Sequence, residues 1–126
     1  MSNPLNIEKN FTITFNNTQY PINKELFCYY SPKLKDEILN QQKKTIDLTD
    51  SSFLDSSFAT FVKACQNKSY SINTSNFYDV RDLSFKYGVQ KVIDECNEFQ
   101  HYCSFIDLLI PHLLYKIRKH GDPQNI

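Results

Sequence analysis

Glycine is scarce in this sequence. Only two of the 126 residues are glycine, Gly88 and Gly121. A loop that wraps around phosphate groups needs several glycines close together, because only they let the backbone approach the phosphate oxygens closely. The scarcity therefore excludes the glycine-rich loops that nucleotide-binding enzymes use.

A surplus of charge is also missing. The chain carries 14 basic and 14 acidic residues, so its formal net charge is zero. Domains that bind nucleic acids normally carry a basic surplus, because they neutralise phosphates. We therefore expect no nucleic-acid partner, and we interpret the short basic clusters at residues 43–44 and 116–120 as solvated surface.

No apolar run is long enough to cross a membrane. The longest run, over residues 105–117, is interrupted by Asp107, Pro111 and His112, whereas a spanning helix needs about 20 predominantly apolar residues. Residues 1–10 lack the apolar segment of a secretory signal. We expect a cytoplasmic or nuclear protein with no membrane partner, whose four cysteines are reduced.

The sequence does contain enough apolar material for one folded domain. Hydrophobic residues make up 40% of the chain, with 10 Phe and 8 Tyr, and this is typical of a globular protein rather than a disordered one. We predict a flexible N-terminus over residues 1–10, one domain over residues 11–103, and a C-terminal helix and tail over residues 104–126.

The predicted domain is organised around residues 45–72. Ile46 and Leu48 share one face of a short strand. The next apolar residues have the i, i+3, i+4, i+7 spacing of an amphipathic helix; they are Phe58, Phe61, Val62 and Cys65. Asn67 suits the left-handed position after such a helix. The alternation of Tyr70 and Ile72 then predicts a further strand.

The elements before this unit are a hairpin and two short helices. Phe11–Phe15 and Thr18–Ile22 alternate in polarity around two asparagines, which tolerate the positive φ of a tight turn. Helices follow over residues 24–29 and 32–39, with Asn23 and Ser31 as their N-caps.

Three helices follow the central unit. The first two have buried sides that begin at Phe77 and at Val89, and Gly88 between them suits a helix end. Ser104 and Asp107 form a possible capping box for the last helix, in which Pro111 should produce a kink or a split. Short paired strands with several helices predict a small α+β domain.

No group of residues points to catalysis or to a cofactor. Cys96, His101 and Cys103 come nearest to a metal site, but a fourth ligand is missing, and on one helix His101 points away from both cysteines. His112 and His120 have no Ser or Cys in a setting that they could activate. We predict that the protein is not an enzyme and binds no metal or cofactor.

Two surfaces are candidates for binding a protein partner. The first carries Tyr20, Tyr29 and Tyr30, because tyrosine suits interfaces; the alternative is that these rings only cover the core. The second is the last helix, with one face formed by Phe105, Leu108, Leu109, Leu113 and Ile117 and widened by Ile106, Ile110 and Leu114. A helix that is apolar over so much of its circumference needs cover on more than one side.

Several motifs have the order and the intervals of a known domain. After the hairpin, Leu26, Ser31 and Leu34 look like a "vL…S…F" segment. The motif "F-x-x-L-x-x-x-Y-x-G" is matched by Phe58, Phe61, Cys65 and Asn67. The motif "N…L…A…L-x-v" is matched by Asn76, Val80, Ser84, Tyr87 and Val89, and the closing "L-x-x-x-C-x-x-F" by Val92, Cys96 and Phe99. Together these motifs resemble the BTB/POZ domain, over about residues 11–99.

The resemblance implies a small mixed sheet covered by a helical cluster, and a function in self-association, as in a homodimer, or in docking a protein partner. It also implies a narrower alternative, a substrate adaptor for a cullin-based ubiquitin ligase. In that case Leu34, Leu39 and Phe53 belong to the segments that meet the cullin. Two features depart from the family. Asn10 and Asn23 stand where members often have Asp and His, and residues 39–44 lack the Glu of the apolar-x-Glu motif found in many cullin-binding members.

Overall fold

A computed structural model of the chain describes residues 8–39 and 42–120, and shows an α+β fold. Its elements in chain order are β1 (Phe11–Phe15), β2 (Thr18–Ile22), α1 (Lys24–Tyr30), a 3-10 turn (Pro32–Leu34), α2 (Lys35–Leu39), β3 (Thr45–Asp47), α3 (Asp55–Ala64), α4 (Phe77–Tyr87), α5 (Gln90–Tyr102) and α6 (Phe105–His120). Residues 1–7 of the predicted N-terminus, part of the loop before β3, and residues 121–126 of the predicted C-terminal tail lie outside the described residues. Within the described residues, no helix is both long and apolar enough to span a membrane.

The sheet has three strands in the order β2-β1-β3. β1 and β2 form the predicted hairpin, and Asn16 and Asn17 in its turn have φ angles of 48° and 69°. β3 lies on the other side of β1 and runs parallel to it, with Ile46 opposite Ile13. Every second residue of β1 is buried, so the hairpin places one apolar face against the helices.

The core lies between this face of the sheet and α3. The ring of Phe58 stacks on that of Phe15, with centroids 3.8 Å apart and planes 6° apart. Phe61 packs edge-on against Phe27, with centroids 6.2 Å apart. The predicted apolar side of α3 is confirmed, because Phe58, Phe61, Val62 and Cys65 are all buried. Asn67 has the expected left-handed conformation, with φ of 56°.

The strand predicted at Tyr70 and Ile72 is wrong. The segment between α3 and α4 has no regular structure, and side chains rather than a neighbouring strand bond to its backbone. The Asn76 amide donates to the carbonyl of Ser71 (3.0 Å) and accepts from the backbone N–H of Asn73 (2.9 Å). Tyr70 and Ile72 are half-buried and pack against the core. Their alternation therefore reflects this packing rather than pairing in a sheet.

The helices after the hairpin follow the prediction with two corrections. Asn23 caps α1 by accepting from the N–H of Leu26 (2.9 Å), and α1 extends through Tyr30. The helix predicted from Pro32 begins as a 3-10 turn, and the Ser31 hydroxyl does not cap it. The buried hydroxyl donates instead to the carbonyl of Tyr87 at the end of α4 (2.6 Å), so a tertiary contact competes successfully with the local cap.

Gln66 joins the end of α3 to the start of α1. Its amide oxygen accepts from the N–H of Asn23 (2.8 Å), and its amide nitrogen donates to the carbonyl of Asn23 (3.1 Å). Asn10 reaches the same junction, since its side chain accepts from the N–H of Lys24 (2.9 Å). These bonds satisfy the N–H groups of Asn23 and Lys24, and they give the Asn23 carbonyl a second donor beside the N–H of Phe27 in α1.

We expect Gln66→Ala to lower the free energy of unfolding by about 2 kcal/mol, because it leaves the backbone N–H of Asn23 without a partner beside a buried position. The Asn23 carbonyl loses one of its two donors and keeps the N–H of Phe27. Urea denaturation monitored by circular dichroism measures the change. Gln100→Ala, at an exposed position of α5, is the matched control and should change the free energy by less than about 0.5 kcal/mol. Equal effects of the two substitutions would contradict the assigned role of Gln66.

Gly88 ends α4 with the predicted left-handed conformation, at φ of 70°. The buried sides of α4 and α5 follow the predicted pattern, as Phe77, Val80, Leu83, Val89, Val92 and Cys96 are fully buried. The capping box of α6 is also confirmed. Asp107 accepts from the N–H of Ser104 (3.2 Å), and Ser104 accepts from the N–H of Asp107 (3.1 Å).

Pro111 does not split α6, which is one helix from Phe105 to His120. Proline removes the hydrogen bond that its nitrogen would donate to the carbonyl four residues earlier, and its ring crowds that carbonyl. That carbonyl belongs to Asp107 in the first turn, which is exposed, so water can bond to it.

Candidate interaction surface

α6 packs on α4 with the more polar of its two sides. We call this the docked side; its members are Leu108, His112, Tyr115, Arg118 and Lys119. The ring of Tyr115 stacks on that of Tyr78 with centroids 5.1 Å apart, and its hydroxyl is hydrogen bonded to the carboxylate of Asp82. The pKa of Tyr115 is raised to about 12, mainly by burial and secondly by the bond to Asp82. The hydroxyl therefore stays protonated and donates.

An ion pair anchors the C-terminal half of α6. The guanidinium of Arg118 lies 2.8 and 3.0 Å from the two carboxylate oxygens of Asp79, whose side chain is fully buried in α4. The same carboxylate accepts from the N–H of Leu54 at the start of α3 (3.0 Å). Arg118 also donates to the carbonyl of Ser52 (3.1 Å). One buried carboxylate thus connects α4, α6 and the segment before α3.

Lys119 completes this anchor. Its ammonium lies 3.2 Å from the centroid of the Phe53 ring and donates to the hydroxyl of Ser52 (3.0 Å). Burial lowers the pKa of Lys119, and the neighbouring carboxylates of Asp79 and Asp82 only partly oppose this effect. The cation–π contact and the hydrogen bond hold the ammonium against the domain.

The opposite side of α6 is apolar and exposed. We call it the outer face; its members are Phe105, Ile106, Leu109, Ile110, Leu113, Leu114 and Ile117, with exposed fractions between 40% and 81%. On a helix of about 100° per residue these seven side chains cover an arc of roughly 180°, centred opposite the docked side. The structure therefore presents to solvent a half-cylinder that is apolar except for the exposed Lys116 at its edge.

The structure divides the apolar face predicted for α6 between the docked side and the outer face. Of the five residues predicted to share one face, only Leu108 is buried, at 8% exposure. The others lie on the outer face because Tyr115, Arg118 and Lys119 turn the opposite side toward α4. Buried hydrogen bonds and an ion pair, which apolar spacing does not reveal, determine this orientation.

Two apolar grooves border the outer face. One, of about 410 Å³, is lined on one side by Leu54 and Ser75 and on the other by Leu114 and Ile117. The second, of about 520 Å³, is lined by residues that include Tyr78, Cys103, Phe105 and Leu109. The apolar surface thus continues from the helix into the depressions on both sides.

The tyrosines of the first predicted surface lie elsewhere. Tyr20 is half-buried, and its ring packs edge-on against Phe58 with centroids 5.2 Å apart. Tyr30 bonds to Asn67 and lies 4.8 Å from the ammonium of Lys91. Only Tyr29 is largely exposed, at 76%. Tyr20 and Tyr30 therefore cover the core, and the three rings do not form one exposed patch.

The remaining predicted residues divide between core and surface. Leu34 and Phe53 are buried, Leu39 is half-buried, and Phe105, Leu109 and Leu113 are exposed on α6. The structure therefore brings together only the last three as an accessible surface. Asp79 and Arg118 were not identified from the sequence. The spacing of apolar residues does not show that a carboxylate in a helix is buried, and nothing local in the sequence identifies its partner.

The described residues contain no group of three or more His, Cys, Asp or Glu side chains arranged to hold a metal ion. Cys96 is buried and Cys103 is half-buried. Burial raises the pKa of both Cys65 and Cys96 to about 12, so neither thiol forms the thiolate that a nucleophile or metal ligand requires at neutral pH.

Comparison of the chain with protein-family models and with curated proteins found no match.

Proposed function

We propose that this chain is a protein–protein interaction module of the BTB/POZ type and that it binds its partner through the outer face of α6. The observation that carries the proposal is the exposure of seven large apolar side chains on a helix whose other side is anchored by a buried ion pair. Such a helix cannot turn its apolar side inward without breaking the contacts of Asp79.

The size of the outer face supports this proposal. The exposed fractions of its seven members add up to about four whole residues, or roughly 700 Å² if a large side chain presents about 150–250 Å². The largest apolar patch on a typical monomer is about 300–600 Å². One partner in a standard interface contributes about 800 Å². The outer face is therefore of the size that a stable interface needs.

The BTB/POZ part of the proposal is supported by element order. A hairpin, two short helices, a third strand, a linking helix and a helix pair follow one another in the order that the resemblance implies. The one departure among the described residues in this part of the chain is the strand predicted at Tyr70 and Ile72, which is absent. At the two positions that depart from the family, Asn10 accepts from the N–H of Lys24 and Asn23 caps α1. The asparagines thus supply their own hydrogen bonds at the start of the first helix.

The cullin adaptor stays a prediction. Leu34 and Phe53 belong to the core, and part of the loop between α2 and β3 lies outside the described residues. No feature of the described surface favours a cullin over another protein partner.

A retention experiment tests the proposed function. The purified chain is immobilised and exposed to an extract of the cells that express it, and the retained proteins, including further copies of the chain, are quantified by mass spectrometry. We expect Ile110→Glu combined with Leu113→Glu to reduce specific retention at least tenfold, because two carboxylates would have to be desolvated at the centre of the interface.

The control for this experiment is Phe85→Glu, which places a carboxylate at an exposed position of α4. It should retain the same proteins as the unmodified chain. Circular dichroism should show that all three proteins are folded, since every altered side chain is exposed. Identical retention by the unmodified chain and the double variant would overturn the proposal that the outer face binds proteins.

A further inference from the structure

On the basis of the proposed function, we infer that the occupant of the outer face is a second copy of this chain, whose α6 packs antiparallel against the first about a twofold axis near residues 111–112. The spacing of the apolar residues, the distribution of charge along α6 and the available area each support this arrangement.

The centre of the outer face has the spacing of a coiled-coil seam. Ile106, Ile110, Leu113 and Ile117 follow one another at intervals of four, three and four residues, which is the alternation of a and d positions in a heptad. On a helix of about 100° per residue they fall within roughly 60° of one another, directly opposite the docked side. Helices pair along such a seam by inserting each side chain between those of the partner.

The seam is also symmetric about its midpoint. In an antiparallel pair centred between positions 111 and 112, Ile106 lies opposite Ile117 of the second copy, and Ile110 lies opposite its Leu113. Leu109 and Leu114 border the seam on its two edges. In the pair, Leu109 of one copy lies at the same height along the helix axis as Leu114 of the other. Each layer therefore joins apolar residues, and the same surface serves both copies, as a twofold interface requires.

Charge selects the antiparallel orientation. The first turn of α6 contains Asp107 and its C-terminal half contains the exposed Lys116, whereas Arg118 and Lys119 face the domain. An antiparallel pair brings the acidic end of each helix beside the basic end of the other and opposes the two helix dipoles. A parallel pair would place two basic ends together, and like charges facing one another across an interface weaken it.

The area and the anchoring of α6 favour a stable pair. Two outer faces of roughly 700 Å² each give a total within the range of about 1,200–2,000 Å² that specific interfaces bury. Because the docked side already holds the helix in place, association does not have to order it first.

Disulfide cross-linking tests both the occupant and its orientation. The background is Cys103→Ser, since Cys103 is the half-exposed cysteine and the other three are buried. Ile106→Cys and Ile117→Cys are introduced into separate chains that carry tags of different mass. The two proteins are oxidised mildly, alone and as an equimolar mixture, and separated on a non-reducing gel.

We expect the mixture to give a cross-linked heterodimer, and neither protein alone to give a cross-linked homodimer. Positions 106 and 117 face each other in the antiparallel pair, whereas like positions are offset by about 16 Å along the axis. A disulfide requires Cα atoms closer than about 7 Å. Homodimers of either protein alone at the yield of the mixture would indicate a parallel pair and overturn the inference.

Sedimentation velocity provides the second measurement. The unmodified chain and Phe85→Glu should both be dimers at micromolar concentration, while Ile110→Glu combined with Leu113→Glu should weaken dimerisation at least 100-fold. If the unmodified chain were monomeric at about 100 μM, the inference would be overturned. This concentration is far above the dissociation constant of a standard interface. If the retention experiment still separated the unmodified chain from the double variant, the proposed function would stand with a different protein as the occupant.

Discussion

Asp79→Ala is expected to lower the free energy of unfolding by about 3 kcal/mol, because it removes the acceptor of two buried interactions. Arg118 loses its ion-pair partner, and the N–H of Leu54 loses its hydrogen bond. The estimate lies at the lower end for a broken buried pair, since the Arg118 side chain is 27% exposed and water can partly replace the carboxylate. Urea denaturation monitored by circular dichroism measures the loss.

The control for Asp79 is Asp94→Ala, at an exposed position of α5, which should change the free energy of unfolding by less than about 0.5 kcal/mol. Hydrogen exchange gives a local readout, because amides of α6 should exchange faster in Asp79→Ala than in the control. Combining Asp79→Leu with Arg118→Met should recover part of the loss, since a buried pair replaced as a whole leaves no unpaired charge. A loss below about 1 kcal/mol for Asp79→Ala would show that the ion pair does not anchor the helix.

Phe58→Ala should destabilise the domain by about 3–5 kcal/mol, the largest effect that we expect from a single substitution. Phe58 is fully buried, stacks on Phe15 and contacts the rings of Tyr20 and Phe61. Removing its ring loses the transfer free energy of the side chain and leaves a cavity between α3 and the sheet. The change is measured by the shift of the urea midpoint at constant slope.

Phe85→Ala is the matched control for this substitution, as it removes the same ring from a side chain that is 52% exposed. It should lower the free energy of unfolding by less than about 1 kcal/mol. If Phe58→Ala cost less than about 1.5 kcal/mol, the contact between α3 and the hairpin could not be the centre of the core.

The two substitutions separate the parts of the structure on which the interaction surface depends. Phe58 supports the sheet and α3, whereas Asp79 holds α6 against them. A domain with Asp79→Ala can therefore keep its core while α6 loosens. Dimerisation should then weaken along with the protection of α6 amides, because the outer face would no longer be held in a fixed position.

Local signals in the sequence were sufficient for most elements. The paired asparagines of the hairpin turn, the Asn23 cap, the left-handed Asn67 and Gly88, and the capping box of Ser104 and Asp107 all act within a few residues. The apolar side of α3 was also predicted, because a helix against a sheet must bury one stripe. In each case, the residues that determine the conformation lie beside the one that adopts it.

Interactions between distant residues decided the rest. The alternation at Tyr70 and Ile72 predicted a strand, but no strand of the described sheet pairs with them. The Ser31 hydroxyl was predicted to accept from a local N–H as an N-cap, but it donates to the carbonyl of Tyr87, 56 residues away. For polar groups near the core, the bond that forms depends on which partner the fold brings within reach.

The sequence by itself determined that this is a small α+β domain with a hairpin, a helical cluster and a terminal helix that is apolar over half of its circumference. It could not determine which side of that helix meets the domain. The tertiary structure decided this, because α4 places Asp79 and Asp82 where they bond to Arg118 and Tyr115. Burying those polar groups without partners would cost more free energy than leaving apolar side chains exposed, so the polar contacts set the orientation and leave the apolar face outward.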